Sequence, residues 1–182
     1  MENSKMMEVI STRRSVRKYE ARPVEEDKLE LCLEAARLAP SACNSQPWKY
    51  IAVTDPEILG RLGEGAFSGV YTVTGFAKKA PVLVAVVSEK SGIPAWLGGK
   101  FRSLPFYLVD IGISVQNFVL TAHEQGLGTC ILGWFDEDKA AKTLGVPSGR
   151  KVELLISVGY PAESPAPRPR KEREKVISHN RY

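Results

Sequence analysis

Cysteine and histidine are scarce in this sequence of 182 residues, which contains three cysteines and two histidines. Cys32, Cys43 and Cys130 are odd in number and form no CxxC pair, which argues against a disulfide framework and against a zinc site. Neither His123 nor His179 has a Ser, Cys or Asp partner at a spacing typical of a hydrolytic triad. We therefore expect neither a metal site nor hydrolytic catalysis.

Long apolar runs and nucleotide-binding fingerprints are also missing. No run reaches the roughly 18 apolar residues of a membrane-spanning helix, and residues 1–5 lack the apolar core of a signal peptide. We therefore expect no membrane partner and, by default, a cytoplasmic location. No GxGxxG opens a helix after a strand and no P-loop pattern occurs, so a nicotinamide site of the Rossmann kind is not expected.

The composition that remains, with 43% hydrophobic and 25% charged residues, is that of an ordinary soluble globular protein. We expect residues 1–182 to form a single domain, with residues 161–182 as an extended C-terminal arm because residues 161–170 carry four prolines. The net charge of +4 lies in residues 168–182, since residues 1–167 hold nineteen charges of each sign. Such a tail could bind an anion or a nucleic acid, or serve solubility alone.

Apolar periodicity predicts an α+β chain in which helices flank an inner sheet. Six consecutive apolar residues, four of them Val, predict that residues 81–88 form a central strand covered on both faces. A helix predicted from Asp110 to Gln125 is apolar around much of its circumference, which favours a core helix or a subunit interface. Of the other predicted helices, the first ends near Arg13, the second covers residues 29–39, the third begins at Asp55 and the fourth covers residues 136–144. The other predicted strands cover residues 48–54, 128–133 and 151–159.

Arginine is concentrated in one short stretch, where Arg13, Arg14, Ser15 and Arg17 lie within five residues. A guanidinium presents a planar fork of N–H donors that matches phosphate oxygens, so three guanidiniums beside a hydroxyl suit a phosphate dianion. The alternative is that these arginines stabilise the C-terminus of the preceding helix through its dipole.

A second polar stretch covers residues 40–48 and contains Ser41, Asn44 and Gln46. Hydroxyl and amide groups that both donate and accept suit the polar edge of a planar heterocycle. Pro40 and a second proline before the tryptophan predict an extended rather than a helical segment. The alternative is a simple turn after a helix, since Ser and Asn are turn residues in their own right.

Together, these two stretches resemble the FMN-binding signature of the nitroreductase family. The resemblance continues, in the order that the family shows, through residues 82–87, 126–129 and 159–161 and the basic tail around residues 168–171. It implies a three-layer α-β-α sandwich with a central, mostly antiparallel sheet. It also implies a homodimer with two FMN sites at the subunit interface.

The resemblance also assigns cofactor-binding residues by their position. The arginines would surround the flavin phosphate, the backbone of residues 131–133 would approach the ring, and Ser41 and Asn44 would reach the flavin held by the other subunit. Trp134 either stacks on a ring or belongs to the core. The full set implied for FMN binding is Arg13, Arg14, Ser15, Arg17, Pro40, Ser41, Asn44, Gln46, Ile131, Leu132, Gly133, Arg168 and Arg170.

The implied activity is electron transfer from NAD(P)H through FMN to a nitroaromatic, quinone or similar acceptor in a ping-pong cycle, with no catalytic side chain. One alternative is a related flavin enzyme of reductive dehalogenation or oxidative flavin chemistry. Another is a non-enzymatic, basic-tailed binder of anions or nucleic acid, although we expect no nucleic-acid partner. Residues 92–101 are the expected lid over the flavin, and residues 72–79 are the expected place for contacts with its pyrimidine.

Overall fold

The sheet has four strands in the residues that this computed structural model describes, which are 4–89 and 104–182. They are β1 (Trp48–Val53), β2 (Val82–Ser88), β3 (Gly128–Leu132) and β4 (Lys151–Gly159). Their order is β1-β2-β4-β3, and every neighbouring pair is antiparallel. All four predicted strands are confirmed to within a residue at either end.

Five α-helices accompany the sheet in the described ranges. They are α1 (Lys5–Thr12), α2 (Glu26–Arg37), α3 (Pro56–Ala66), α4 (Phe106–Glu124) and α5 (Glu137–Leu144). The Asp55 carboxylate caps α3, as predicted, by accepting from the N–H groups of Glu57 and Ile58. Helix α4 begins four residues before the predicted start at Asp110, because Pro105 ends the preceding segment and suits a helix N-terminus.

The sheet separates two hydrophobic cores. Helices α2 and α4 cover one face, against side chains such as Val84 and Ile156. Helices α3 and α5 cover the other face, together with 3-10 turns over Gly69–Lys79, against side chains such as Leu83 and Leu155. The predicted three-layer sandwich is therefore confirmed, and β2 is buried on both faces.

Helix α4 carries two apolar faces. One face lies in the first core, where Ile111 and Phe118 are almost fully buried. The other face is open within this chain, since Leu108 is 41%, Val109 48% and Ile113 40% exposed. No helix in the described part of the chain is long and apolar enough to cross a membrane.

Candidate functional site

The arginine-rich stretch lies along the edge of the sheet formed by β3. Ser15 pairs with Thr129 in an isolated parallel bridge, and the Val16 N–H donates to the Thr129 carbonyl over 2.9 Å. Gly128 permits this close approach, since a Cβ there would lie 2.8 Å from the buried Val16 side chain. The pairing therefore fixes the backbone on both sides of Ser15.

The start of the C-terminal arm runs back along the same stretch. The Ala162 N–H donates to the Lys18 carbonyl over 2.9 Å, just after the end of β4. The Glu163 carboxylate then accepts a hydrogen bond of 2.6 Å from the Arg17 backbone N–H. These contacts direct the following residues of the arm toward the arginines.

A cavity of about 510 Å³ opens between the arginine-rich stretch and the arm. One wall comes from the end of α1 and the residues after it, and the other comes from residues 165–170. Residues that the sequence predicts for one site therefore meet, although most of the chain separates the two groups. We call this cavity the arginine pocket, and its predicted members are Arg13, Arg14, Ser15, Arg17, Arg168 and Arg170.

The arginine pocket holds positive charge that no ion pair among the described residues neutralises. Within residues 4–89 and 104–182, every ion pair involves lysines and arginines outside the pocket. Burial lowers the pKa of Arg13, and the nearby charges of Arg14 and Arg170 lower that pKa further. An anion would relieve this repulsion, and the planar N–H forks of several arginines suit a phosphate in particular.

Arg14 and Arg17 use their guanidiniums differently. The Arg14 Nη1 donates to the carbonyls of Ser11 and Arg13, over 2.7 Å and 2.9 Å. These carbonyls lie at the C-terminal end of α1, so the helix-end alternative explains the placement of Arg14. The Arg17 guanidinium lies 5.8 Å from the centre of the Phe76 ring and makes one long hydrogen bond of 3.4 Å to a nearby carbonyl. Within the described part of the chain, most N–H groups of the Arg17 guanidinium thus remain available to a ligand.

Residues 40–46, which we call the polar turn, are folded under strain. Ala42–Asn44 form one turn of 3-10 helix, and Cys43, Asn44 and Gln46 have φ angles of 53°, 52° and 43°. Left-handed φ values at such residues cost about 1–3 kcal/mol each and concentrate at functional sites. The predicted extended conformation is therefore wrong. Local hydrogen bonds override the prolines, since the Ser41 Oγ accepts from the Gln46 N–H over 2.9 Å.

The polar turn lies far from the arginine pocket of the same chain. The Ala42 N–H donates to Asp110 Oδ1 over 3.1 Å, near the start of α4. The arginine-rich stretch adjoins the other end of α4, where Thr12 Oγ1 and His123 Nε2 lie 2.8 Å apart. Since a helix rises about 1.5 Å per residue, these two anchor points are about 20 Å apart. One chain therefore does not bring Ser41, Asn44 and Gln46 to the arginine pocket.

The predicted ring-contacting stretch, residues 131–133, covers the end of β3 and the residue after it. Ile131 is 42% exposed, whereas Leu132 is 3% exposed and belongs to the second core. A Cβ added to Gly133 would meet Leu154 at 3.9 Å, which is ordinary van der Waals contact. A ligand could thus approach the backbone of this stretch, while the Leu132 side chain faces away from it.

Trp134 follows this stretch and is held in place by its polar atoms. Its Nε1–H donates to the Val70 carbonyl over 3.1 Å, and its own carbonyl accepts from the Thr74 hydroxyl over 2.7 Å. Its ring centre lies 5.2 Å from that of Tyr71, and the two ring planes are tilted by 55°. Because Trp134 is 54% exposed, the alternative that it belongs to the core is wrong.

Sequence reasoning misses two acidic residues that hold parts of these sites. Asp110 fixes the polar turn and Glu163 fixes the backbone of Arg17. An acid within an otherwise apolar helix is a usable signal for Asp110, whereas no sequence signal marks Glu163. The predicted lid, residues 92–101, lies outside the described residues. Among the described side chains, no three His, Cys, Asp or Glu are grouped to hold a metal ion.

The sequence profile of the Nitroreductase family matches residues 10–74 and 72–160 of this chain. A curated protein of Methanothermobacter thermautotrophicus, provisionally named an NADH dehydrogenase/NAD(P)H nitroreductase, is 33% identical over 168 residues. That alignment covers 90% of this chain and 81% of the relative.

Two further proteins that are similar to this chain have names that state an activity. The solved structure of an FMN-dependent nitroreductase from Clostridium difficile superposes with a TM-score of 0.77 and 29% identity, covering 96% of this chain and 98% of that structure. An iodotyrosine deiodinase from Thermotoga neapolitana is 27% identical over 192 residues, covering 94% of this chain and 95% of the relative. The chain is thus similar along nearly its whole length to a protein named as a nitroreductase and to one named as a deiodinase.

Proposed function

The chain belongs to the nitroreductase family, and from that premise we propose that it is an FMN-dependent oxidoreductase. The proposal rests mainly on the arginine pocket, where guanidiniums from two distant stretches converge without carboxylate partners among the described residues. A terminal phosphate monoester, as in FMN, fits that donor set. When bound, FMN would accept reducing equivalents from NAD(P)H and deliver them to a nitroaromatic, quinone or similar acceptor.

Within the arginine pocket, we assign phosphate binding to Arg13, Arg17 and Arg170, with support from Ser15 and Arg168. Their N–H and O–H groups are the donors that a phosphate needs. Arg14 would support the pocket through the end of α1, because its guanidinium is occupied by two backbone carbonyls. The pocket would thus anchor the cofactor, while substrates exchange elsewhere.

The backbone of residues 131–133 is the proposed support for the flavin ring. Ile131 is partly exposed there, and the backbone at Gly133 is open to close approach. Fixed backbone N–H groups of this stretch would favour negative charge on the reduced ring without a proton-transferring side chain. This assignment explains why no acid–base pair with catalytic spacing is needed.

The complete site is proposed to form between two copies of the chain. The polar turn lies about 20 Å from the arginine pocket along α4, so it cannot complete that pocket within one chain. The exposed apolar residues on α4, including Val109 and Ile113, supply a surface for a second copy. In such a dimer, the polar turn of one protomer would serve the arginine pocket of its partner.

Identification of the bound cofactor tests this function. The purified protein should be yellow, and heat should release a compound with the mass of FMN. Addition of NADH or NADPH should bleach the flavin absorbance, and a nitroaromatic or quinone should restore it. Recovery of FAD, or no flavin after reconstitution with FMN, would contradict the proposal.

A second candidate activity is reductive dehalogenation, which the similarity to an iodotyrosine deiodinase supports. It would use the same cofactor grip with a different substrate over the ring. Anaerobic incubation of the reduced holoprotein with iodotyrosine would reveal this activity as released iodide. Nitroaromatic turnover without iodide release would favour the first candidate.

A further inference from the structure

Asp110 is a buried carboxyl group in a helix that is otherwise mostly apolar. It is 4% exposed, and its Oδ1 accepts a hydrogen bond from the Ala42 N–H over 3.1 Å. Its Oδ2 is enclosed and has no hydrogen-bond partner among the described residues. A buried polar atom without a partner is unfavourable and is uncommon in folded proteins. The position therefore calls for a role beyond packing.

The residues that Asp110 holds are strained. Cys43, Asn44 and Gln46 all have left-handed φ angles, which persist only where neighbouring groups fix them. Bonds within the turn, such as the one from the Gln46 N–H to Ser41 Oγ, shape the turn but do not join it to α4. The bond from Ala42 to Asp110 makes that connection.

The resulting shape presents the polar groups of the turn outward. Asn44 and Gln46 are exposed. The Ser41 Oγ already accepts from the Gln46 N–H, which leaves its hydroxyl proton available for an outside acceptor. A loop in this conformation would offer donors on one side in a fixed geometry.

We propose that Asp110 is a positioning residue for flavin binding, which holds the polar turn in its strained conformation through the Ala42 N–H. This inference rests on the proposed function, because it requires that the turn contacts FMN. Asp110 itself lies beneath the turn and would not touch the cofactor. Its effect would reach the flavin through the geometry of Ser41 and Asn44.

The same helix supplies a matched control. Asn117 lies two turns further along α4, and its Nδ2 donates to the Ala35 carbonyl over 3.1 Å. Like the contact of Asp110, this is one hydrogen bond between an α4 side chain and the backbone of a neighbouring segment. Its partner, however, lies in α2 and not in the polar turn. Replacement of either side chain by Ala removes one such hydrogen bond, and thermal unfolding measures what each loss costs in stability, so a difference in flavin binding would report on the turn.

The experiment compares D110A, D110N and N117A by flavin titration, by the visible circular dichroism of bound FMN, and by thermal unfolding of the flavin-free proteins. D110A should weaken FMN binding by about tenfold or more and change the dichroism of the bound flavin, since one positioning bond is lost. D110N, which keeps an oxygen for the Ala42 N–H, should bind within about threefold of the wild type. N117A should bind FMN as tightly as the wild type, even where its thermal stability falls.

A second variant tests the bond from its other end and does not depend on the folding of D110A. A42P removes the N–H at the first position of a 3-10 turn that follows an extended residue, where proline is tolerated. It should weaken FMN binding as D110A does, and the double variant D110A/A42P should be no weaker than either single variant.

Two results would overturn the inference. One is a D110A protein with unchanged FMN affinity and dichroism, and the other is an N117A protein weakened as much as D110A. If the wild type itself bound no FMN, the proposed function would fall and this inference with it. The wild-type titration therefore separates the two failures.

Discussion

The arginine pocket and the polar turn differ in how their residues come together. The pocket joins segments from opposite ends of the chain, yet it is assembled within one protomer. The polar turn is continuous in sequence, yet it lies about 20 Å from that pocket along α4. Separation along the sequence thus says little about which of these residues lie close together in the fold.

The two regions also differ in what holds them. Hydrogen bonds from the β3 edge and the arm fix the backbone of the pocket, and its unneutralised cations leave it in need of an anion. The polar turn instead keeps three left-handed residues in place through local bonds and the contact with Asp110. The arginine pocket thus offers positive charge to a ligand, whereas the polar turn offers hydrogen-bonding groups in a fixed geometry.

Disruption of the exposed face of α4 should have the largest effect on flavin binding, because it would separate the polar turn of one protomer from the arginine pocket of its partner. I113E places a charge on a 40% exposed apolar residue of the proposed interface, so we expect loss of the dimer and a fall in FMN affinity of about a hundredfold or more. Light scattering and flavin titration would measure both. V70E, at a side chain that is 74% exposed outside α4, is the control and should remain dimeric. A flavin-loaded monomer at micromolar concentration would contradict the shared site.

Loss of one pocket guanidinium should have the next largest effect. R17A should weaken FMN by about ten- to a hundredfold, since a charge-assisted hydrogen bond is worth about 1.5–3 kcal/mol. Riboflavin, which lacks the phosphate, should bind R17A and wild type alike. R14A is the control, because its guanidinium already serves two carbonyls and should discriminate less between the ligands. Equal weakening of both ligands by R17A would mean that Arg17 acts through folding.

Displacement of the arginine-rich stretch from β3 should have an intermediate effect on stability and on FMN binding. G128A would put a Cβ 2.8 Å from the Val16 side chain, so we expect it to reduce the free energy of unfolding by about 1–3 kcal/mol and to weaken FMN binding by displacing Ser15. G133A adds the same methyl group where the nearest atom is 3.9 Å away and should unfold like the wild type. Chemical denaturation of flavin-free proteins would compare them. Identical stability of the two variants would refute the close-packing argument.

Protonation of His123 should have the smallest effect, which is on the stability of the folded protein. Burial lowers its pKa in the folded protein, and the charges of Arg13 and Arg14 lower it further. The unfolded chain therefore binds the proton first, so this contribution to stability is present above the unfolded pKa and is lost as the pH falls below it. We expect wild-type stability to decline more than that of H123Q between about pH 7.5 and pH 5.5. Parallel declines would assign the acid sensitivity to other groups.

The fold and the arginine pocket are largely predictable from sequence because their signals are local. Six buried residues mark β2, and the caps at Asp55 and Gly145 mark helix ends. The arginines identify themselves by residue type, since few groups other than anions need several guanidiniums together. The sequence offers both a phosphate-binding role and a helix-end role for these arginines, but it does not reveal that Arg14 takes the helix-end role, because that depends on its rotamer.

The polar turn is less predictable because tertiary contacts decide its conformation. The flanking prolines favour an extended chain, but the hydrogen bonds of Ser41 and Asp110 stabilise a 3-10 turn instead. The partner of Asp110 lies 68 residues away in sequence, so no local pattern predicts the pair. The predicted start of α4 at Asp110 is four residues late, because the helix already begins at Phe106, directly after Pro105.

Subunit complementation tests the shared site most directly. One protomer would carry R17A and the other would carry N44A, with different tags so that only mixed dimers are purified. If the polar turn serves the partner's pocket, one site of each mixed dimer combines two intact halves, whereas the second site carries both defects. We therefore predict one FMN per dimer bound with wild-type affinity, although neither homodimer binds that tightly. Two weakened sites, each with the affinity of one of the homodimers, would show that each chain binds flavin alone and would contradict the account.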